Sequence, residues 1–267
     1  MNTDLHISEQ LNARQTEILA FVTKNGYAET DFLARQFSKT MQTIRRDFEK
    51  LESHGLVVKV HGGAKLATPA QFENLPYAER RRANIPQKQA IGAAAANLIP
   101  DGKCVFLSAG TSTEAVAVQM LSHQDMQFVT NNLNIAQHLR DNIQSSVQIC
   151  GGDIRHEDGA VFDPRARDMI ASMRIDYSVI GIGGIDPREG LFCYSIDEVM
   201  TARTIMQHSR HLIIVADDDK IGQQANFRLC SLSDIDTLIT GVTDSTELEV
   251  ACQDIDVELI RVKPDGV

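Results

Sequence analysis

The sequence predicts an α/β protein in which a small helical domain precedes a larger domain built on a Rossmann-like, largely parallel sheet. Amphipathic helical patterns fill most of the first 66 residues. Apolar strand-like segments alternate with helical ones from residue 87 onward. The formal net charge of −10 is divided unevenly, with +3 over residues 1–90 and −13 over residues 91–267. This asymmetry indicates two parts with different partners.

Residues 1–66 contain three short helical patterns followed by a β pattern. Residues 11–25, 29–37 and 41–53 each place apolar side chains on one face, at helical spacing. Thr40 precedes the third helix, as expected of an N-cap. A short β run and a Gly-Gly turn come next. Two helices joined by a tight turn, with a β wing behind them, are common in DNA-binding modules.

The outward face of the third helix favours a role in DNA recognition. With Ile44 and Phe48 pointing inward, helical geometry places Gln42, Arg46 and Lys50 on the opposite face. In the major groove, arginine can pair with guanine and glutamine with adenine. The alternative is a solvated face, but the tight turn, the paired arginines and the glycine wing occur together. The residues expected to contact a double-stranded DNA operator are Lys39, Thr40, Gln42, Thr43, Arg45, Arg46, Lys59, His61, Gly62 and Gly63.

Residues 67–86 are predicted to be a linker. They hold three of the seven prolines, and no helical or strand period runs through them. Arg80, Arg81 and Arg82 form a basic patch within this stretch. These arginines could contact DNA phosphates, remain solvated or pair with the acidic domain.

Residues 87–267 are predicted to form the larger domain. Five loops rich in glycine and small polar residues follow its strands, at residues 108–113, 130–134, 151–153, 181–186 and 217–222. The carboxyl ends of parallel strands meet at one rim of a sheet, which is where ligands bind in such domains. The first loop also leads into a helix, whose N-terminal N–H groups attract anions. Together the loops favour a small polar ligand.

No pattern predicts a metal ion, a cofactor or a membrane segment. The adjacent carboxylates at 217–219 cannot easily face one cation, and the histidines and the five cysteines lack metal-site spacing. No apolar run approaches the roughly 20 residues that span a bilayer. The N-terminus has no secretory signal, so a cytoplasmic protein is expected.

Several motifs resemble those of the DeoR family of bacterial transcription regulators. Residues 43–48 (TIRRDF) and 61–64 (HGGA) resemble the family's recognition helix and wing. Residues 110–112 (GTS), 130–134 (TNNLN) and the pair Lys220 and Gly222 resemble motifs of its sensor domain, most closely in the glycerol-3-phosphate repressor branch.

This resemblance implies a winged helix–turn–helix joined to a sensor related to ribose-5-phosphate isomerases and glucosamine-6-phosphate deaminases. It implies a repressor of a sugar or polyol catabolic operon, assembled as a homodimer or homotetramer. A phosphorylated sugar or polyol, such as glycerol 3-phosphate, would release it from DNA. The expected effector-binding residues are Lys88, Ser108, Gly110, Thr111, Ser112, Thr130, Asn131, Asn132, Gly151, Gly152, Gly183, Asp186, Asp217 and Lys220.

Two departures from the family pattern bear on the effector. Ser108 stands where the family commonly has aspartate, and Asp218 and Asp219 are additional carboxylates. The expected effect is a reshaped pocket. The alternative function is a phosphosugar isomerase or deaminase on the same fold, with Asp186 or Asp217 as its base. That alternative leaves the N-terminal helices without a role.

Overall fold

A computed structural model describes residues 11–25, 27–53, 56–60, 62–66, 76–223, 225–242 and 245–264. The chain divides into two compact units, one ending at Gln71 and the other beginning at Phe72. Within the described residues, no helix is long and apolar enough to cross a membrane.

The first unit is a winged helix–turn–helix. Its elements are α1 (Ala13–Asn25), β1 (Tyr27–Glu29), α2 (Thr30–Gln36), α3 (Met41–Ser53), β2 (Val57–Val60) and β3 (Gly63–Leu66). The strands form an antiparallel sheet in the order β1-β3-β2. Ile18, Val22, Leu33, Ile44 and Phe48 form its fully buried centre. The apolar helical spacing therefore predicted the three helices correctly, whereas the three-residue β1 is too short to show an alternating pattern.

A buried ion pair joins α1 to α3. Asp47 lies on the inner side of α3, where Arg14 donates to its two carboxylate oxygens at 2.6 and 3.1 Å. Gln15 donates to the same carboxylate at 3.1 Å. These hydrogen bonds satisfy the buried charge and fix the position of α3 relative to α1.

Gly63 is required by the close approach of two strands. A Cβ atom at this position would lie 2.2 Å from the carbonyl oxygen of Ala28, which is backbone and cannot swing aside. We expect Gly63→Ala to destabilise the first unit by about 1–3 kcal/mol, as overpacked sites do. Urea unfolding followed by circular dichroism measures this loss. Gly151→Ala is the matched control, because a Cβ there meets nothing within 4 Å. Equal stability of the two variants would contradict the steric argument.

The second unit contains ten strands and seven helices among its described residues. The strands are β4 (Cys104–Leu107), β5 (Gln127–Thr130), β6 (Ser146–Ile149), β7 (Ile175–Gly181), β8 (Gly184–Asp186), β9 (Gly190–Cys193), β10 (Ser209–Val215), β11 (Phe227–Cys230), β12 (Thr237–Gly241) and β13 (Glu258–Val262). The helices are α4 (Tyr77–Arg82), α5 (Ile85–Leu98), α6 (Thr111–Gln119), α7 (Leu133–Leu139), α8 (Pro164–Ala171), α9 (Ile196–Gln207) and α10 (Thr246–Asp254).

Seven of these strands form one parallel sheet, in the order β13-β12-β10-β7-β4-β5-β6. Two hydrophobic clusters cover it, one including residues of α5, α6 and α7, and the other residues of α8, α9 and α10. This is the parallel α/β arrangement that the alternating pattern predicts. Because all seven strands run in the same direction, the loops after β4, β5, β7 and β10 open on the same rim.

Two features of this unit differ from the sequence-based expectation. Strands β8, β9 and β11 form a separate antiparallel sheet, although residues 181–186 are predicted to be only a loop. These strands have three or four residues each, so a periodic pattern cannot develop. Helix α4 and the start of α5 lie in the segment predicted to be a linker. None of the residues of α4 is buried, so it lacks the apolar face by which helices are detected.

Candidate functional site

The outer face of α3 carries the side chains expected to read DNA. Gln42, Arg45 and Arg46 are exposed, and Thr43 is partly buried. The Thr40 hydroxyl accepts a hydrogen bond from the Thr43 backbone N–H at 3.2 Å, which caps the helix as expected. The N-terminal turn of α3 is therefore ordered, and its arginines are directed to solvent.

The wing supplies a weaker positive surface than its sequence suggests. Lys59 is exposed, but its ammonium group lies 3.3 Å from Glu52 and 3.7 Å from Glu49. Gly62 is exposed at the turn, whereas Gly63 is buried, and Lys39 is exposed before α3. His61, which was also expected to contact DNA, lies outside the described residues.

The second unit has a cavity at the carboxyl ends of β4, β5, β7 and β10. Eight of the expected effector-binding residues line it, namely Ser108, Gly110, Thr111, Ser112, Asn131, Gly183, Asp217 and Lys220. They come from loops that are far apart in sequence, and the parallel sheet brings them together. The convergence of strand-end loops predicted in the sequence analysis thus places a polar cavity at this rim.

The N-terminus of α6 provides hydrogen-bond donors to the cavity. Gly110 is its N-cap residue and has no side chain with which to satisfy the first N–H groups of the helix. Thr111 and Ser112 follow with their hydroxyls. Ser108 also ties two strands together, because its hydroxyl accepts from the Gly181 N–H at 3.3 Å. The free backbone N–H groups and the two hydroxyls at this helix end together suit the binding of an anion.

Lys220 supplies a cation to the cavity, from a short turn after β10. Its ammonium group donates to the Tyr194 hydroxyl at 2.9 Å, and that hydroxyl donates to the Gly183 carbonyl at 2.9 Å. Burial lowers the pKa of Lys220. The tyrosine therefore holds the lysine in place at the cavity wall.

Lys88 lies beside the cavity and not on its lining. Its ammonium group donates to the carbonyls of Arg80 and Ala83 at 2.6 and 2.7 Å, and lies 3.6 Å from an Asp217 carboxylate oxygen. The Lys88 side chain is only 6% exposed, and burial lowers its pKa. Lys88 thus neutralises Asp217 and holds the chain just before α5.

Five other expected effector-binding residues are not on the cavity lining. The Thr130 hydroxyl donates to the Leu107 carbonyl at 2.7 Å. The Asn132 side chain caps α7 and donates to the Asp158 carbonyl at 2.9 Å. Asp186 accepts two backbone N–H groups in its own turn. Gly151 and Gly152 follow the edge strand β6 and lie away from the lining. All five lie at or just after the end of a strand, and only the three-dimensional packing separates them from the cavity.

Several lining residues were missed by the sequence analysis, namely Arg80, Arg155, Asp158, Phe162, Tyr194, Glu198 and Thr201. Arg155 donates to Asp158 at 2.6 and 2.9 Å and to Glu198 at 3.0 Å. These hydrogen bonds outweigh burial and raise the pKa of Arg155. The Arg155 and Asp158 pair, three residues apart in a loop after β6, is the one sequence signal that could have revealed this wall.

The two additional carboxylates turn toward the start of α5. Asp219 accepts from the Asn84 side chain at 2.6 Å, and the Asp218 backbone N–H donates to Gln87 at 3.2 Å. Burial raises the pKa of Asp218. Neither residue lines the cavity, although Asp219 lines a smaller adjoining one. Asp218 and Asp219 therefore lie beside the start of α5, whereas Ser108, the other departure from the family pattern, lines the cavity itself.

A winged helix–turn–helix in the same chain as an α/β unit with a polar strand-end cavity defines a DNA-binding regulator with a ligand sensor. The model of the DeoR C-terminal sensor domain matches residues 83–242, and that of the DeoR-like helix-turn-helix domain matches residues 14–70. The chain therefore belongs to the DeoR family, and it is a ligand-responsive transcriptional repressor and not an enzyme.

Curated relatives agree with this assignment. The glycerol-3-phosphate regulon repressor of Escherichia coli K12 is 36% identical over 227 residues, which cover 85% of this chain and 89% of that protein. The transcriptional repressor CsqR of the same organism is 31% identical over 255 residues, covering 96% and 97%. The alternative of a phosphosugar isomerase or deaminase is set aside, because both relatives are repressors.

The solved structures give a much weaker likeness. Ribose 5-phosphate isomerase from Plasmodium falciparum is similar with a TM-score of 0.36 and 15% identity, over 50% of this chain and 52% of that chain. A likeness of this size adds nothing to the family assignment.

Proposed function

We propose that the cavity binds a phosphorylated sugar or polyol of the glycerol 3-phosphate class, and that binding releases the protein from its operator. One observation carries the proposal: the cavity combines donors for an anion with a buried acceptor, the Asp217 Oδ1, that has no partner among the described residues. The name of the 36% identical relative supports this choice of effector. A protein with this task is expected in the cytoplasm, where DNA is accessible.

The donors for the anion are the α6 N-terminus and Lys220. A phosphate placed against Thr111 and Ser112 accepts from backbone N–H groups and hydroxyls, and Lys220 supplies a positive charge. Local donors of this kind are needed because residues 91–267 carry a net charge of −13, whose field opposes an anionic ligand.

Two buried oxygen atoms on the cavity lining are available to the hydroxyl groups of a ligand. Within the described residues, the Asp217 Oδ1 and the Thr201 Oγ1 are buried and have no hydrogen-bond partner. A buried acceptor without a partner is costly, and a polyol hydroxyl would satisfy it. Inorganic phosphate would leave Asp217 unsatisfied, so we expect the cavity to prefer a molecule that carries both groups.

The exposed face of α3 is proposed to read the operator, with Arg46 and Gln42 near base edges and Lys39, Arg45 and Lys59 near phosphates. We further propose that the protein acts as a homodimer or homotetramer, because helix–turn–helix proteins pair two recognition helices with two half-sites. Effector binding releases DNA only if the effector favours the state with lower DNA affinity.

We expect glycerol 3-phosphate to stabilise the full chain and to lower its affinity for the DNA upstream of its own gene. Thermal unfolding measures the first effect, because a ligand of the native state raises the unfolding temperature. Fluorescence anisotropy with labelled DNA measures the second. Glycerol and inorganic phosphate, each at the same concentration, are the controls for the two halves of the molecule. If neither glycerol 3-phosphate nor other phosphorylated sugars change either quantity, the proposed effector class is wrong.

A further inference from the structure

The guanidinium group of Arg80 is a cation on the cavity lining whose role neither the fold nor the proposed function explains. Arg80 belongs to α4, lines the cavity together with Asp217 and Lys220, and lies before the segment that matches the family sensor domain. Within the described residues, its side chain makes no hydrogen bond and no ion pair within 4 Å. By contrast, Arg155 is held by two carboxylates, and Lys88 by two carbonyls and Asp217.

Arg80 lies close to two other cations and to one carboxylate. Burial lowers the pKa of Lys88 and Lys220, the charge of Asp217 raises it, and the charge of Arg80 lowers it again. Lys88 is matched by Asp217, so Arg80 and Lys220 are lining cations without a carboxylate within 4 Å among the described residues, and an anion between them would be stabilised. The buried Asp217 Oδ1, which has no partner among the described residues, faces the same cavity and suits the rest of a polyol phosphate.

Hydrogen bonds and an ion pair tie α4 to the rest of the second unit. Its last turn is held by Lys88, and Asn84 just beyond it bonds to Asp219 at 2.6 Å. At its start, the Tyr77 hydroxyl donates to Glu114 and accepts from Asn134, and Arg81 lies 3.5 Å from Glu114. With no buried residue of its own, α4 is among the elements whose detachment costs least.

We propose that Arg80 contacts the anionic group of the effector, and that the bound effector thereby holds α4 against the second unit. Helix α4 begins five residues after the division between the two units, between Gln71 and Phe72. A ligand that fixes α4 therefore changes the restraint on the chain that leads to the DNA-binding unit. This inference rests on the proposed function, and it assigns the step that couples ligand binding to DNA release.

The test compares Arg80→Ala with Arg82→Ala in the full-length protein. Arg82 is exposed on the same helix, does not line the cavity and is replaced with the same loss of charge and volume. Isothermal titration with glycerol 3-phosphate is expected to show about a 10- to 100-fold weaker affinity for Arg80→Ala, the usual loss for one charge-assisted hydrogen bond. Arg82→Ala is expected to bind as the wild type does. Arg80→Lys keeps the positive charge but lacks the planar guanidinium group, so its affinity for glycerol 3-phosphate should lie between those of Arg80→Ala and the wild type.

Hydrogen exchange at the amides of residues 77–82 tests the second part of the proposal, that the bound effector holds α4 against the second unit. We expect glycerol 3-phosphate to slow exchange there in the wild type and in Arg82→Ala, but not in Arg80→Ala at a concentration that saturates it. Unchanged affinity of Arg80→Ala, or exchange in α4 that the ligand does not alter, overturns this inference alone. Failure of the wild type to bind glycerol 3-phosphate, ribose 5-phosphate or glucosamine 6-phosphate overturns the proposed function together with it. Equal unfolding temperatures without ligand show that both alanine variants are folded.

Discussion

Replacing Arg46 by alanine should weaken operator binding by about 10- to 100-fold for each half-site, the cost of about 1–3 kcal/mol that attends loss of a bidentate contact to a base. Arg46 is exposed on the outer face of α3, and its neighbours Ile44 and Asp47 are buried. The substitution therefore removes a contact to DNA while leaving the core unchanged. Anisotropy with the DNA upstream of the protein's own gene measures the affinity.

Two comparisons make this result specific. Arg140→Ala removes an equally charged surface side chain from the second unit, where it lies 3.6 Å from its neighbour Asp141, and should leave DNA affinity unchanged. Lys39→Ala, as a phosphate contact, should weaken operator and unrelated DNA alike. Arg46→Ala should weaken operator binding more than binding to unrelated DNA. If Arg46→Ala binds the operator as tightly as Arg140→Ala does, α3 is not the recognition helix.

Replacing Lys88 by methionine should destabilise the second unit by about 3–5 kcal/mol, the usual cost of leaving one member of a buried ion pair alone. Methionine keeps most of the volume but removes the charge beside Asp217 and the hydrogen bonds to two carbonyls. For a unit of this size, the unfolding temperature should fall by roughly 10 °C. Thermal unfolding followed by circular dichroism measures it, and Lys263→Met, at an exposed site, is the control.

A double substitution separates the charge from the packing at this site. Lys88→Met with Asp217→Asn removes both charges, so the penalty of an uncompensated carboxylate disappears. We expect the double variant to be more stable than Lys88→Met alone. If the double variant is as unstable as Lys88→Met, the loss comes from the two carbonyls, and the ion pair with Asp217 contributes little.

Elements governed by local sequence could be predicted closely. The third helix was expected over residues 41–53, and α3 has these bounds because its apolar spacing and the Thr40 cap are contained in the segment itself. The strands of the parallel sheet are apolar and bounded by polar residues, so they too are visible in the sequence. The convergence of the loops after β4, β7 and β10 followed from the parallel topology alone.

Elements governed by distant contacts could not be predicted. Helix α4 depends on Glu114, which lies more than 30 residues away in sequence, and on Lys88 in the next helix, and neither leaves a periodic signal in α4. Arg155 reaches the cavity because a loop after β6 folds back to Glu198. Thr130 and Asn132 were expected to bind the ligand because their positions at a strand end place them at the rim of the sheet. Which rim residues reach the cavity depends on the direction of each side chain and on its neighbouring contacts, and these are not visible in the sequence.

The carboxylates beside Lys59 affect the ionic-strength dependence of DNA binding. Lys59 is already paired with Glu49 and Glu52, so its contact with a phosphate would release few counterions from the DNA. Lys39, Arg45 and Arg46 make no ion pair with other described residues. Arg46 is proposed to contact a base, so Lys39 and Arg45 would neutralise about two phosphate charges per protomer, for a slope of roughly −2 in log K against log salt concentration per protomer and roughly −4 for a dimer on two half-sites. This slope is shallower than the one that a free Lys59 would give, and discrimination between sequences is left to contacts with the bases.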